Sequence, residues 1–394
     1  MKLMTKLTCG LIVVSSEAFV AQQAVAQSSI TLYGMVDESI AYANNQKGHS
    51  NLYMSAGHRY ANRFGFRGDE VLSGTTHAIF DIEAGFDPST GDSSTAGLIF
   101  NRQAYVGLSD SRFGQLTLGR QYSPYYHFVA PLSGSALGTA AASAQPGDIA
   151  GLDTTIRINE AITYTSPTIG GLTLGVMLAP GSTSGSVAQG SSISAAASYH
   201  QGPFALATGF THFDNASTAN GSWSTSSTAT PSNSAIIQGY LSARSMQQFA
   251  VAGTYTQGRS LTSLTYANVQ FSPDAGSLFT DKAVFNTFEI LEKYHVSKML
   301  DVTAEVTYER ASKANGIKNA AQYRQVSFSE TVFLSKRSLL YFLQGYGRGT
   351  GETLGTGGKD DVVAATGLIG DSMNLLPSSR PNQLMAMFGI CEIF

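Results

Sequence analysis

Apolar and polar residues alternate with a period of two along many stretches of this 394-residue chain. The clearest stretch is 299–310, in which every second residue from Leu300 to Tyr308 is apolar and the residues between are Asp, Thr or Glu. Stretches 114–121, 171–179 and 325–334 show the same pattern. Because successive side chains of a strand point to opposite faces, each stretch predicts a β-strand with one apolar and one polar face. Their lengths suit tilted strands that cross a bilayer, which need about 9–11 residues.

The connections between the predicted strands alternate between short and long. The short ones are 69–74, 110–113, 167–171, 201–203 and 335–338. The long, polar ones are 43–57, 87–98, 122–155, 180–191, 214–245, 272–282, 311–320 and 349–381. A transmembrane barrel has short turns at one end and long loops at the other, whereas a soluble β-sandwich has no reason to keep this order.

The number of strands is sixteen if 235–243 belongs to the fifth long connection, and seventeen if it does not. A single-chain bacterial barrel normally has an even number, and sixteen strands enclose a water-filled channel. The sequence therefore predicts an all-β fold, a sixteen-stranded antiparallel transmembrane β-barrel formed by residues 27–394. The outer face of such a barrel contacts membrane lipid.

Composition agrees with this fold. Charged residues make up 13% of the chain, against about 25% in soluble domains, and the mean hydropathy is −0.01. No stretch after residue 26 approaches the roughly 18 consecutive apolar residues that a membrane-spanning helix needs. The net charge of −3 gives no indication of nucleic-acid binding.

The N-terminus resembles a secretory signal peptide over residues 1–26. Lys2 and Lys6 precede the apolar run 7–14, and Ala24-Val25-Ala26 offers a cleavage site for small residues. The alternative is a soluble N-terminal helix. Cleavage would remove two lysines and Glu17, which changes the net charge to −4, and would leave Cys391 as the single cysteine. The mature chain can then form neither an internal disulfide nor a cysteine-based metal site.

Several ordered motifs are similar to those of general porins of the β-proteobacterial type. They are 28–37 (SSITLYGMVD), 62–70 (NRFGFRGDE), 78–80 (AIF), 83–86 (EAGF), 100–108 (FNRQAYVGL), 113–121 (FGQLTLGRQ), 157–159 (RIN), 164–167 (YTSP) and the terminal Phe394. The similarity is ordered over 28–178 and diffuse afterwards, apart from 334–337 and the last strand.

The resemblance implies a homotrimer of sixteen-stranded barrels in the outer membrane, with passive diffusion of small hydrophilic solutes and ions. It also implies that the third long loop, 122–155, folds into the lumen as a constriction. The final aromatic residue, Phe394, would be recognised by the barrel-assembly machinery.

The resemblance further implies that wall arginines face carboxylates on the inserted loop. The matching wall residues are Arg63, Arg102 and Arg157, with Arg67 and Arg120 as further candidates. Fixed charges in a narrow passage select ions, because Coulomb energy rises as water is excluded. Arg102 has the same parity as Val106 and Leu108, so alternation alone would direct it to lipid. The cost of an arginine in lipid, about 2–4 kcal/mol at the midplane, favours the lumen.

The acidic partners depart from the family pattern. The loop offers only Asp148 and Asp153, and Glu160 replaces an asparagine of the family at the start of the next strand. Either Asp148 and Asp153 supply the acidic side of the field, or the field is lopsided, and the second case leads to the hypothesis of a mild preference for anions. His58, His77 and His127 have no ligand spacing, and neither a metal nor another cofactor is predicted.

Two alternatives stay open from the sequence. A channel specific for one solute would share the fold, and would show a saturable current that its ligand blocks. An outer-membrane barrel enzyme would need a nucleophile beside a base, and no Ser–His or Asp–His motif is evident.

Overall fold

The computed structural model describes residues 28–138, 140–231 and 234–394, so the predicted signal peptide lies outside the described residues. The strands of the main sheet are β1 (Ser29–Gln46), β2 (His49–Ala56), β3 (Arg63–Ser73), β4 (Thr76–Gly85), β5 (Gln103–Asp110), β6 (Gly114–Gln121), β7 (Ile158–Thr165), β8 (Leu172–Ala179), β9 (Ser192–Gln201), β10 (Phe204–Asp214), β11 (Ser245–Gln257), β12 (Ser260–Ser272), β13 (Ala283–His295), β14 (Leu300–Ala311), β15 (Gln322–Phe333), β16 (Ser338–Thr350) and β19 (Asn382–Ile393). Between the last two, β17 (Glu352–Leu354) and β18 (Val362–Ala364) form a separate hairpin.

The main sheet closes into a barrel of sixteen antiparallel wall strands. β2 and β3 count as one wall strand, because both pair with β1, β2 along Glu38–Gln46 and β3 along Ser29–Met35. β1 also pairs with β19, from Met35 opposite Ile393 to Ala43 opposite Met385. Closure leaves no strand edge facing lipid, which cannot hydrogen-bond exposed backbone. The predicted fold and strand number are confirmed, and 235–243 lies in the loop between β10 and β11.

Alternation places apolar side chains outside the barrel and polar ones inside. On β14, Val306 is 50% exposed on the outer face between Ile290 and Val326, whereas its neighbours Glu305 and Thr307 point inward and are buried. None of the helices in the described part of the chain is long and apolar enough to cross a membrane.

The first long connection was predicted wrongly. β1 and β2 remain paired up to a two-residue turn, Lys47 and Gly48, both of which have positive φ as a tight hairpin turn requires. The chain leaves the ladder later, at 57–62 between β2 and β3. Polar composition near 43–57 marks strands that are exposed, not a loop.

Three long connections fill much of the barrel interior: loop 3 (122–157), loop 5 (215–244) and loop 8 (351–381). Loop 3 contains α1 (Pro124–Val129), α2 (Gly134–Leu137) and α3 (Ala140–Ser143), and the Ser123 hydroxyl caps α1 by accepting from the Tyr126 N–H at 3.2 Å. α1 lies against β8, β9, β10 and β11. Loop 3 therefore sits on the inner wall.

The inner wall anchors loop 3 through polar side chains. Glu289 of β13 accepts from the Gly134 N–H at 2.6 Å, and Gln248 of β11 donates to the Ile149 carbonyl at 3.1 Å. Gln325 of β15 donates to the carbonyls of Ala142 and Ala144 at 3.2 and 3.0 Å. Each bond joins a buried wall group to loop backbone that would otherwise lack a partner.

Loop 8 enters the lumen and binds loop 3. The Gly147 N–H donates to the Gly370 carbonyl at 2.7 Å, and the Asp371 N–H donates to the Ala141 carbonyl at 3.2 Å. Gln325 accepts from the Gly370 N–H at 2.7 Å, so this one wall residue holds both loops. A Cβ at Gly370, where φ is +64°, would lie 1.6 Å from the Ala141 oxygen. Only glycine allows this approach.

Loop 8 also covers an inner wall that is apolar. Met385, Met387 and Cys391 of β19 point inward and pack in one buried cluster with Ile369 and Leu375 of loop 8. Burial of these side chains against the loop removes apolar surface from water and stabilises the inserted position.

Candidate functional site

Arginines gather on the inner wall formed by β3 to β7, around one buried carboxylate. Glu83 of β4 accepts from Arg102 Nε at 2.6 Å, and Arg63 Nε lies 3.6 Å from its other oxygen. The Tyr33 hydroxyl of β1 is 3.1 Å from Glu83. Glu83 and Arg102 are both buried, so this pair lies in a region of low dielectric, where charges interact more strongly than in water.

A second ion pair lies further along β3 and β4. Arg67 Nη2 lies 2.9 Å from Asp81, which also accepts from the Tyr33 hydroxyl at 2.6 Å. The Arg67 guanidinium packs 4.5 Å from the centre of the Tyr33 ring, yet its side chain is 59% exposed. Arg67 therefore presents positive charge to the lumen water even though it is paired.

Arg102 points inward for a reason that strand parity cannot express. Arg102 lies directly before β5, and its backbone N–H donates to the Glu83 carbonyl at 3.2 Å. The Asn101 side chain bonds the backbone N–H and carbonyl of Gly85, at 2.7 and 3.2 Å, and fixes the turn. Alternation begins only at Gln103, so it does not direct Arg102 to lipid.

Arg157 and Arg120 complete the positive side of the lumen. The Arg157 guanidinium lies 5.1 Å from the Tyr122 ring centre, and that of Arg102 lies 5.9 Å from the same ring. Arg120 donates to the Asn101 carbonyl at 2.9 and 2.7 Å and to the Asn159 side chain. Neutral oxygens hold Arg120 and an aromatic ring contacts Arg157, and neither arginine forms a salt bridge with a carboxylate of the described residues.

The two predicted loop carboxylates are buried inside loop 3. Asp148 accepts from the N–H groups of Leu152 and Asp153 at 2.9 and 3.1 Å, and from the Thr155 hydroxyl. Asp153 is within electrostatic reach of Arg102 and Arg157. Asp371 of loop 8 lies near both carboxylates, so three acidic groups meet where loops 3 and 8 touch.

Glu160, the third predicted acidic residue, lies away from the arginines. It has a φ of 55° beside a register shift between β6 and β7, and it is exposed. Its carboxylate accepts from the Ser182 hydroxyl on the loop between β8 and β9. The local bulge turns the side chain out of the lumen, so the expected place of Glu160 opposite the wall arginines is wrong.

Sequence reasoning missed the wall carboxylates as partners. Asp81 and Glu83 share inward parity with His77, which was the available signal, and His77 itself pairs with Asp69 at 2.6 Å. The inward acids of β13 and β14, Glu289, Glu305 and Glu309, are buried by loop 3 and its neighbours and do not line open lumen. No group of three or more potential ligands within the described ranges is placed to hold a metal ion.

Burial controls the charge of the loop acids. It raises the pKa of Asp148 to about 7, with a further contribution from Asp371 and opposition from the Thr155 hydroxyl. Burial together with the charges of Asp148 and Asp371 raises the pKa of Asp153. Burial also raises the pKa of Asp371 to about 6. The packed loops therefore favour neutral carboxyls, while the arginines stay charged.

Comparisons with known proteins agree with this architecture. A family model described as Gram-negative porin matches residues 11–314. An outer membrane porin protein of Bordetella pertussis is 30% identical over 173 residues, which cover 40% of this chain and 44% of the relative. The match thus spans less than half the length of that relative.

Two solved structures show the same fold. The anion-selective porin from Comamonas acidovorans gives a TM-score of 0.68 at 20% identity, with 93% of this chain and 100% of that chain covered. OmpT of Vibrio cholerae, in its trimer form, gives a TM-score of 0.59 at 14% identity, with 93% and 99% covered. At these identities the likeness concerns the fold alone.

The loop acids predict that the loop packing weakens as pH rises. A raised carboxyl pKa means that the packed state is stabilised fully at pH below the ordinary carboxyl range and loses that stabilisation as pH rises towards 7. Trp223, the single tryptophan, is buried in loop 5, which contacts loop 8 through Ser234 and Ala235. We expect its fluorescence to shift to the red between pH 5 and 8.

The control variants separate these acids from others. D148N/D371N should flatten the pH dependence, because an amide retains the acceptor oxygen and does not ionise. D92N/D360N, which changes two exposed loop acids, should leave it unchanged. An emission spectrum of the unmodified protein that is constant over this range would contradict the expectation.

Proposed function

Because the chain belongs to the Gram-negative porin family, we propose that it forms a water-filled channel through which small hydrophilic solutes and ions diffuse passively. The chain is an outer-membrane protein, as its relatives are, and its closed barrel with an apolar outer face suits that membrane. Diffusion through the barrel needs no reaction step, and the family consists of channels. We therefore propose no catalytic activity.

The channel prefers anions, and the observation that supports this is the imbalance of charge on the part of the inner wall formed by β3 to β7. Five arginines, Arg63, Arg67, Arg102, Arg120 and Arg157, face two wall carboxylates, Asp81 and Glu83. The loop carboxyls that could offset the remaining charge favour their neutral form while buried. A positive, narrow passage raises the local concentration of anions and excludes cations.

Removal of lumen charge tests the preference. R63Q/R67Q leaves Glu83 paired with Arg102 and Asp81 bonded to Tyr33, so the wall should retain its structure. We expect the anion-to-cation permeability ratio to fall roughly 3-fold or more, since two unit charges leave a confined passage. The measurement is the reversal potential in a KCl gradient across a planar bilayer.

R259Q/R337Q is the matched control, because it removes two exposed arginines at the short-turn end. It should keep the reversal potential of the unmodified channel. A cation-selective unmodified channel would reject the proposed preference.

We propose that loops 3 and 8 together form the constriction. Both lie against the inner wall and against each other, and Gln325 holds both. The extent of filling supports a second candidate, a channel specific for one solute. Block of the current by one sugar or organic anion at low concentration would favour that candidate over a general porin.

Gly370 allows a direct test of the loop contact. In G370A, the new Cβ would collide with the Ala141 oxygen, so loop 8 must move away from loop 3. We expect single-channel conductance to rise about 1.5-fold or more, because the open cross-section grows. Gly185 also has positive φ but has no atom within 4 Å of an added Cβ. G185A therefore carries similar backbone strain without the collision, and should conduct as the unmodified protein does; equal conductance of G370A would count against loop 8.

We propose that the protein is a homotrimer that associates through its short wall. β5, β6, β7 and β8 have 8 residues each, whereas β13 to β16 have 12 or 13. A tilted strand needs about 9–11 residues to cross the hydrocarbon, so the short wall leaves lipid poorly matched. A neighbouring copy would cover its exposed apolar residues, such as Val106 and Leu118.

Charged substitutions on the two walls distinguish this arrangement. In detergent, where water can reach an outward arginine, V106R/L118R should dissociate trimers into folded, heat-modifiable monomers. V306R/V326R changes β14 and β15, which have 12 residues each and lie outside the short wall, so it should leave trimers intact. Sedimentation of the purified variants measures the difference, and loss of trimers in both variants or in neither would contradict the proposed interface.

We further propose that the barrel-assembly machinery recognises the last strand. Phe388, Ile390 and Phe394 are exposed on the outer face of the strand end, and the Phe394 N–H donates to the Gly34 carbonyl at 3.0 Å. The strand that completes the barrel thus also presents an aromatic C-terminus.

A further inference from the structure

The second wall strand is interrupted by an inward detour at 57–62, which one carboxylate organises. Asp37 on the inner face of β1 accepts from the backbone N–H groups of Arg59 and Tyr60 at 2.5 and 2.7 Å. The Tyr341 hydroxyl donates to its other oxygen at 2.5 Å. Asn62 bonds both the N–H and the carbonyl of Asp37. The detour is therefore held firmly, and the acceptor capacity of Asp37 is used by three donors.

The Arg59 side chain on this detour is buried, and two of its nitrogens lack a hydrogen-bond acceptor. The residue is 4% exposed, and its Nε and Nη1 have no hydrogen-bond acceptor. Among the described residues it makes no salt bridge; its guanidinium carbon lies 4.6 Å from the centre of the Tyr60 ring, and the Asp37 carboxylate is within electrostatic reach. An arginine cannot escape this cost by losing its proton. A buried guanidinium whose Nε and Nη1 lack acceptors can donate to a further, anionic partner.

Charges of both signs lie near Arg59: the Asp37 carboxylate is within electrostatic reach of it, but the Asp37 oxygens already accept from three other donors. Lys293 on the inner face of β13 is within electrostatic reach of Arg59. Its ammonium lies 3.6 Å from Asp301, but that carboxylate is shared with His295 at 2.6 Å. Arg59 and Arg63 both act on Cys391. The detour thus places the Arg59 guanidinium near Arg63 and opposite the Lys293 ammonium.

We propose that Arg59, with Lys293 across from it, binds one small inorganic anion of the halide or oxyanion class inside the lumen. This inference rests on the proposed channel and adds a discrete binding step to it. The unpartnered Nε and Nη1 donors supply directed hydrogen bonds, and the Tyr60 ring limits the size of the occupant. A bound anion at this point makes anion current saturate, because an ion must leave before the next one enters.

Bromide and chloride serve as the probes. Crystals of the unmodified protein soaked in bromide should show an anomalous peak within hydrogen-bond distance of the Arg59 guanidinium. In planar bilayers, anion current should saturate with KCl concentration, and R59Q should raise the half-saturating concentration roughly 10-fold or more, the loss expected for a charge-assisted pair. R259Q, an exposed arginine at the short-turn end, should saturate as the unmodified channel does.

The outcomes are distinct. An absent bromide peak at Arg59, or unchanged saturation in R59Q, would overturn the anion site while leaving the channel intact. A bromide peak without any current would instead reject the proposed channel and retain the site. Because the crystal experiment uses the unmodified protein, it decides the question even if R59Q does not fold. R59K keeps the charge but not the planar set of donors, so its half-saturating KCl concentration should lie between those of the unmodified protein and R59Q.

Discussion

The requirement that backbone in lipid be fully hydrogen-bonded governs this structure. Lipid offers no donors or acceptors, so the sheet must close, and it does so where β1 meets β19. Closure with sixteen strands sets a barrel wider than its own wall side chains can fill. Polar groups of the inner face must therefore form hydrogen bonds with water or with loops. In this barrel, long connections at one end fold inward and supply many of these partners.

Loops 3 and 8 are stable inside the barrel because inward side chains of the wall form hydrogen bonds and apolar contacts with them. Gln325, Glu289 and Gln248 bond loop backbone, while Met385 and Met387 offer an apolar surface for loop 8. Neither the hydrogen bonds nor the apolar contacts suffice alone. An entirely apolar wall would leave loop carbonyls without donors, and an entirely polar wall would gain little free energy from excluding water. The interior thus resembles the core of a soluble protein on one side and a charged passage on the other.

The strands could be predicted from sequence because lipid imposes a local rule, one apolar residue in every two, which 300–308 follows completely. The position of Arg102 could not, since it depends on where the ladder begins at Gln103 and on the Asn101 side chain. The same holds for Glu160, which a bulge turns outward. The insertion of loop 8 had no local signal, because Gly370 meets Ala141 and Gly147, which lie more than two hundred residues earlier.

The charge of the lumen and the packing of its loops are linked through the same carboxyls. Asp148, Asp153 and Asp371 are buried where loops 3 and 8 touch, and burial favours their neutral form. Release of the loops would return them to water, where they ionise and offset part of the arginine charge. The packed state is therefore narrower and more positive, and the released state is wider and closer to neutral. If loops 3 and 8 form the proposed constriction, loss of their contact would change ion selectivity and pore width together.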